Sequence, residues 1–358
     1  MLRVRRALRL LPLLLLAACA SAPSPRPRVP APPVAAHHPS PPATFDPGHV
    51  RDRLDAELAA TANPAAIWGE LRTSFVLADC DADPSITHWA RRYTRNTRAF
   101  ESRLRAALPK IAYIHETAAE HGVPGEFVLL PWVESRYRAE PGKRGGSAGI
   151  WQIMPRTARA MGLRMDDHYD GRLDLQASSD AVMKLLSAYH ERFNDWRMAS
   201  YAYNAGESAT ARFVDGRDAP AGRSPVPGWA GHGVTQRHLS QLLAIACVVR
   251  EPGRFGVSLP PLPRDQRLTE VPVSGTMAIA EAAGRAGMTV DALKQLNAAF
   301  LDGVIDGGSG VDLLLPESHA RRFRAADKDE AVTTIGDAPP AAQTPGSAVP
   351  RVQPVDSR

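Results

Sequence analysis

Apolar residues recur at steps of three and four through the first two thirds of the chain, the spacing that gathers them on one face of a helix. In residues 49–72 the pattern is carried by Val50, Leu54 and Leu58. The stretch TRNTRAFESRLRAALPKIAYIHETAAEHGVP sets Phe100, Leu104, Leu108, Ile111 and Ile114 on such a face. Pro109 predicts a break there, because a proline lacks the N–H that a helix interior needs. Gly122 and Pro124 close the second half, and EFVLLPWVES predicts a further helix with Glu134 at its end. LQASSDAVMKLLSAYHERF, WRMASYAYNAGESATARFV and HLSQLLAIACVVREPGRF predict three more, separated by Gly, Pro and Asp clusters. DGRDAPAGRSPVPGWAGHG reads as a long surface loop on the rim of a cleft. From Thr269 the texture changes. VPV reads as a strand, GTMAIAEAAGRAG and TVDALKQLNAAF as two short helices and VDLLLP as a closing strand, a β-α-α-β module over residues 269–323. The polar residues 324–358 read as a disordered tail.

Composition sharpens the ends. The 358 residues are 44% hydrophobic, which fits one or two globular domains rather than a bundle of membrane helices. The 32 prolines cluster between Ala22 and Pro47 and again after Pro339, marking segments that do not pack. MLRVRRALRLLPLLLLAACA has the basic, apolar and small-residue regions of an export signal, residues 1–18, and is too short to span a bilayer comfortably. Leu16-Ala17-Ala18-Cys19 resembles the bacterial lipobox, which implies lipidation of Cys19 and makes residues 19–47 a tether; an ordinary secretory signal with a chance cysteine is the alternative. In that resemblance Ala20 after the cysteine favours the outer membrane. Residues 48–97 form an N-terminal helical region.

The formal charge of +5 includes four arginines of the signal, so the mature body is near neutral, which argues against a nucleic-acid partner. Cys80 and Cys247 are either a disulfide, which an oxidising periplasm permits, or two buried thiols. His115, His121 and His190 lack metal-ligand spacing, and neither a metal nor a cofactor is expected.

The chemistry concentrates in LPWVESRYRAEPGKRGGSAGIWQIMP. A glutamate behind an apolar run has its charged form disfavoured and can hold a proton for general acid catalysis; an exposed Glu at a helix end is the bland alternative. In GGSAGIWQIMP the small residues let a backbone approach a sugar ring, Gln152 offers an amide, and Trp151, Ile153 and Met154 offer apolar faces. A Gly turn before a helix started by Pro155 explains the same residues. SYAYNAGE puts Tyr203 and Asn204 beside Gly206, a hydroxyl and an amide that can fix a sugar, or simply a helix end with its glycine cap.

VES, GGSAGIWQIMPRTARAMGL, HYDGRLDLQAS and AYNAGE, in that order, resemble the lytic transglycosylases that cleave bacterial murein. The likeness is to the soluble lytic transglycosylase catalytic domain of glycoside hydrolase family 23, and in particular to its membrane-bound type D branch. It covers residues 98–256. It implies a mainly α, lysozyme-like (α+β superfamily) catalytic domain, with Glu134 as the single acid/base and Ser135, Ser147, Gln152, Met154, Tyr203 and Asn204 along the cleft. Asp170 is implied to sit in a structural turn. Where relatives carry a glutamate and, further on, a cleft-facing tyrosine, this chain has Val234 and His238; a histidine keeps a hydrogen-bond donor there, with altered substrate contacts or rate. GTMAIAEAAGRAGMTVDALKQLN resembles a divergent LysM module, a murein binder or a packing domain, interrupted by VIDGGSG before its last strand.

The resulting expectation is an exported, monomeric outer-membrane lipoprotein facing the periplasm, whose partner is the peptidoglycan glycan strand. It would cleave that strand without water to give 1,6-anhydromuramoyl ends. A lysozyme-type hydrolase and a murein-binding lipoprotein with little or no activity are the alternatives.

Overall fold

The computed structural model describes residues 65–77, 79–143, 145–215 and 224–336. Cys19, the export signal, the tether, Val50, Leu54, Leu58 and residues 337–358 lie outside the described residues.

The helical part begins with α1 (Ala66–Thr73), α2 (Pro84–Tyr93) and α3 (Thr97–Glu120). Asp83 starts α2 by accepting from the Ser85 N–H, with Pro84 in the first turn where its missing N–H costs nothing. Asn96 caps α3 in the same way. No break occurs at Pro109, which lies inside α3. Its apolar face continues without a phase shift through Leu104, Leu108, Ile111 and Ala112, all buried, and that packing outweighs the roughly 3 kcal/mol that an interior proline costs. EFVLLPWVES instead forms two single turns, α4 (Gly125–Val128) and α5 (Leu130–Glu134), because the helix restarts at Pro131.

After α6 (Pro155–Ala160), α7 (Leu175–Phe193) starts on the Asp174 cap and ends on Asn194 in the left-handed conformation. Asp195 then caps α8 (Trp196–Ala205), followed by α9 (Glu207–Asp215). The central element is α10 (Gly233–Arg250), buried from Leu239 to Val249 apart from Gln241 and packed mainly on α2, α8 and α5. Its Cys247 is bridged to Cys80, just ahead of α2, across 167 residues of sequence. The pair left open by the sequence is therefore a disulfide.

The C-terminal module has four strands rather than two. β1 (Leu268–Val271) pairs antiparallel with β4 (Leu313–Pro316), and β2 (Thr276–Ala278) with β3 (Val304–Asp306), around α11 (Ile279–Ala286) and α12 (Val290–Leu296). The VIDGGSG insertion supplies β3 and a tight turn in which a Cβ on Gly307 would lie 1.9 Å from the Val273 carbonyl oxygen. A last helix, α13 (Glu317–Gly336), is seated by buried Ala320 and Phe323 and runs on where a disordered tail was expected from residue 324.

This module shares its core with the helical part of the chain. Ala148, Tyr169 and Leu173 belong to the module's hydrophobic cluster, the Asp170 N–H donates to Ala299 O at 3.0 Å, and the Leu301 N–H donates to His168 O at 2.9 Å. On α3, Tyr113 Oη donates to Glu270 Oε1 at 2.6 Å.

Replacing Cys80 and Cys247 by serine should lower unfolding free energy by about 3 kcal/mol, since a bridge over a long loop restrains the unfolded chain. The check is the urea midpoint of the double variant against that of the oxidised protein; equal midpoints would show that the bridge contributes nothing to stability.

Candidate active site

Glu134 is the last residue of α5. The short helix is held from behind: Leu130, Pro131 and Trp132 are buried, and the Trp132 ring meets Phe100 edge-on at 5.0 Å. Beyond it the chain turns sharply, with Arg136 and Tyr137 both left-handed at φ 57° and 59°. Two consecutive non-glycine residues in that region cost of order 1 kcal/mol or more each. Tyr137 offsets this by donating from its N–H to Pro131 O and from its hydroxyl to Val128 O at 2.7 Å, while Lys110 Nζ donates to its carbonyl at 3.0 Å. The turn thereby fixes where α5 stops and where Glu134 points.

The Glu134 side chain is 17% exposed, and its Oε1 lies 2.7 Å from His238 Nε2 on α10. An ionised carboxylate only accepts, so in that state Nε2 carries the proton. His238 is buried and its Nδ1 has no partner among the described residues. The sequence placed this histidine among the substrate contacts; the structure places it against the carboxylate. Val234, the other departure, is exposed at 67%.

The glycine-rich segment forms a tight hairpin in which Ala148 and Ile153 exchange backbone hydrogen bonds. Gly149 has φ 78°, and a Cβ there would sit 1.7 Å from the Arg172 carbonyl oxygen, so no other residue fits. Gln152 is also left-handed, at φ 50°. Its amide is held from both ends, accepting from Ser147 Oγ at 2.8 Å and donating to Gly149 O at 2.9 Å. Ser135 Oγ donates to Ile150 O at 2.9 Å and so ties the hairpin to the Glu134 turn. Tyr203 Oη donates to Trp151 O at 2.5 Å. Burial, and after it the Glu134 charge, push that phenol well above its ordinary value, so it stays a donor.

A cavity of ≈ 360 Å³ opens on Glu134, Ser135, Ser147 and Gln152, and on Arg138 and Glu140. The remaining expected cleft residues stand around it. Tyr203 braces the hairpin, Asn204 is exposed and accepts from Thr235 Oγ1 at 2.9 Å, and Met154 is half exposed. Trp151 and Ile153 offer no face to a sugar. Both are buried, and the Trp151 indole N–H donates to Ser179 Oγ at 3.1 Å. Among the described residues no group of three His, Cys, Asp or Glu side chains is placed to hold a metal ion.

One positioning residue had no sequence reading. Arg172, with its side chain 8% exposed, pairs with Asp170 through Nη2 at 2.7 Å and Nε at 2.9 Å. Its Nη1 donates to Gly146 O at 2.9 Å and to Ile153 O at 3.3 Å, so one guanidinium clamps both ends of the hairpin. Its signal in the sequence is the Asp-Gly-Arg of HYDGRLDL, where the resemblance accounts for the aspartate alone. Arg138, Glu140 and Lys143 were likewise unassigned; Glu140 Oε1 lies 2.9 Å from Arg138 Nε.

A short helix ending in a carboxyl, a glycine hairpin and an amide-lined groove, all upstream of a strand-and-helix module, define a class. Residues 112–223 match the Transglycosylase SLT domain, and residues 267–332 match the Lytic transglycosylase MltD, LysM-like domain. The chain thus carries matches to these two domain families in this order, the first over residues of the helical part and the second over the strand-and-helix module. It is similar to Membrane-bound lytic murein transglycosylase D of Escherichia coli strain K12, 28% identical over 239 residues, 65% of this chain and 52% of the relative. The same figures hold for the protein of that name from E. coli O6:H1 strain CFT073. A Putative tributyltin chloride resistance protein of Alteromonas sp. strain M-1 is 31% identical over 109 residues, 30% of this chain and 53% of that protein. The chain spans about half the length of the curated relatives it matches.

Arg172→Ala should cost about 3 kcal/mol, because it strands a nearly buried Asp170 carboxylate as well as freeing the hairpin. Arg172→Lys should recover little of this, since an ammonium cannot reproduce the forked geometry. Chemical denaturation of both variants checks it, and a loss under about 1 kcal/mol for alanine would mean that the clamp is dispensable.

Proposed function

We propose that this chain is a peptidoglycan lytic transglycosylase acting on the β-1,4 bond between N-acetylmuramic acid and N-acetylglucosamine. The observation that carries the reading is Glu134, a carboxyl backed by a buried imidazole and opening on a groove lined by the Gln152 amide and the Ser147 hydroxyl. Protonated Glu134 donates to the glycosidic oxygen as the C1–O bond breaks. The substrate's own N-acetyl group stabilises the charge that develops at C1. The resulting carboxylate then takes the proton of the muramic C6 hydroxyl, O6 attacks C1, and a 1,6-anhydro end leaves with Glu134 protonated again. No water enters, so no second carboxylate is needed, in contrast to glycosidases that work with a pair. The intramolecular attack also draws on a large effective molarity.

Ser135, Ser147, Gln152 and Asn204 are the polar cleft residues in this reading, with Met154 on the rim and Tyr203 bracing the hairpin. His238 acts as a positioning residue, holding the carboxylate through Nε2. Glu140 is the observation that favours a second reading, a hydrolase in which it would orient water, although Arg138 occupies its carboxylate. The names of the relatives and the disulfide support an exported, membrane-associated enzyme of the periplasm. Anchoring to the outer membrane would come through a lipidated Cys19, and no described helix is long and apolar enough to cross a membrane.

Glu134→Gln should lower release of anhydromuropeptides from purified sacculi by about a thousandfold while leaving the thermal unfolding midpoint in place. Normal turnover by that variant would sink the assignment. Mass spectrometry of the wild-type products separates the two chemistries, because hydrolysis leaves an end heavier by one water.

His238→Phe removes the hydrogen bond to the carboxylate and should lower kcat ten- to about a hundredfold with KM nearly unchanged, the loss expected for a bond to a charged group. His238→Gln, which can still donate, should recover most of it. If both variants fall together, or if the loss appears in KM, the residue does not act by positioning Glu134.

A further inference from the structure

We propose that the large cavity between α3, the turn after Glu134 and α12 binds the carboxylates of the peptide stems carried by muramic acid. The inference rests on the murein reading above and extends it to the part of the substrate that is charged.

The cavity, of ≈ 1070 Å³, is about three times the volume of the one at Glu134. Its walls carry Arg103 and Lys110 from α3, Arg136 and Arg138 from the turn, and Lys294 from α12. Against these five cations stand two carboxylates, Glu140 and Asp291. Glu140 is taken by Arg138, whereas Arg103, Lys110, Arg136 and Lys294 form no ion pair among the described residues. The Arg136 guanidinium lies over the Trp132 and Tyr93 rings, 5.6 and 5.9 Å from their centres. A concave wall with an excess of one sign focuses its field outward and recruits the opposite charge.

Glycan sugars offer hydroxyls and amides but little charge, and beside Glu134 the Gln152 amide and the Ser147 hydroxyl match those. The anions of murein are on its stems, short peptides rich in alanine and free carboxylates that branch from the glycan at every muramic residue. The cavity has the corresponding position. Arg138 and Glu140 line both it and the Glu134 groove, and Arg138 Nε also donates to the Ser135 carbonyl, one residue from Glu134. A strand seated with its glycosidic bond at Glu134 therefore has the basic cavity within reach of a branch. Small side chains such as Ala106 and Ala298 leave room for one.

The test uses the full chain with Arg103→Glu and Lys294→Glu combined, two exposed helix positions outside the catalytic groove. Release of anhydro ends is measured on glycan bearing its stems and on the same glycan stripped of them by an amidase. The double variant should lose about tenfold in kcat/KM on stem-bearing strands and stay within twofold of wild type on stripped ones, with the wild-type preference shrinking as salt rises. Equal loss on both substrates, or no loss on either, would overturn the stem site while leaving the transglycosylase reading intact. A wild-type enzyme that releases anhydro ends from neither substrate would overturn both.

Discussion

The pairing of Asp170 with Arg172 is the constraint on which the candidate site depends, because it acts on both halves of the molecule at once. Its guanidinium takes the carbonyls of Gly146 and Ile153 and thereby closes the hairpin that carries Gln152. The Arg172 carbonyl is the surface against which Gly149 packs, and the Asp170 N–H is bonded to Ala299 in the C-terminal module. A charged pair this far from water is not a net source of stability by itself. Its use is directional: every polar atom of the fork has a fixed partner, so the hairpin has one position and the groove one shape.

The carboxyl of Glu134 is fixed by a different device. A five-residue helix has little stability alone, and this one is held by tertiary contacts, with Trp132 in the core beneath it and the left-handed pair Arg136–Tyr137 stopping it. The backbone strain of that turn is countered by Lys110 and by the Tyr137 hydroxyl, both reaching back to main-chain carbonyls. The imidazole of His238 comes from α10, which is buried along most of its length and packs on α5, so the carboxyl and its partner stand on two elements that are held together. Under the proposed function, rigid support of this kind is what Glu134 needs in order to serve as acid and base within one turnover.

Much of this was legible from residue patterns. Helical periodicity located α3, α7, α8 and α10, and the unusual company of Glu134 singled it out before any geometry was known. What failed to show did so for physical reasons. Pro109 reads as a break by local rules, and only the uninterrupted burial on both sides explains why the helix passes through it. Trp151 beside Gln152 looks like a sugar platform, yet the reversal at Gly149 and the left-handed Gln152 turn successive side chains to opposite sides, one into the core and one into the groove. Arg172 and His238 act across 19 and 104 residues, and nothing local in a sequence reports such a distance.

The C-terminal module shows how such a distance becomes architecture. Read alone, its segments suggest a separate β-α-α-β unit, but Tyr169 and Leu173 of the helical part sit in its core, and β1 is bonded to α3 through Tyr113 and Glu270. A module joined by a linker would sample many positions and present no defined surface together with the groove. One that shares a core and a strut with it turns the junction into a cavity of constant shape. The Tyr113–Glu270 strut ties β1 to α3, and the Asp170 N–H bonds to Ala299 just past α12, so the groove and the basic walls from α3 and α12 belong to one packed unit.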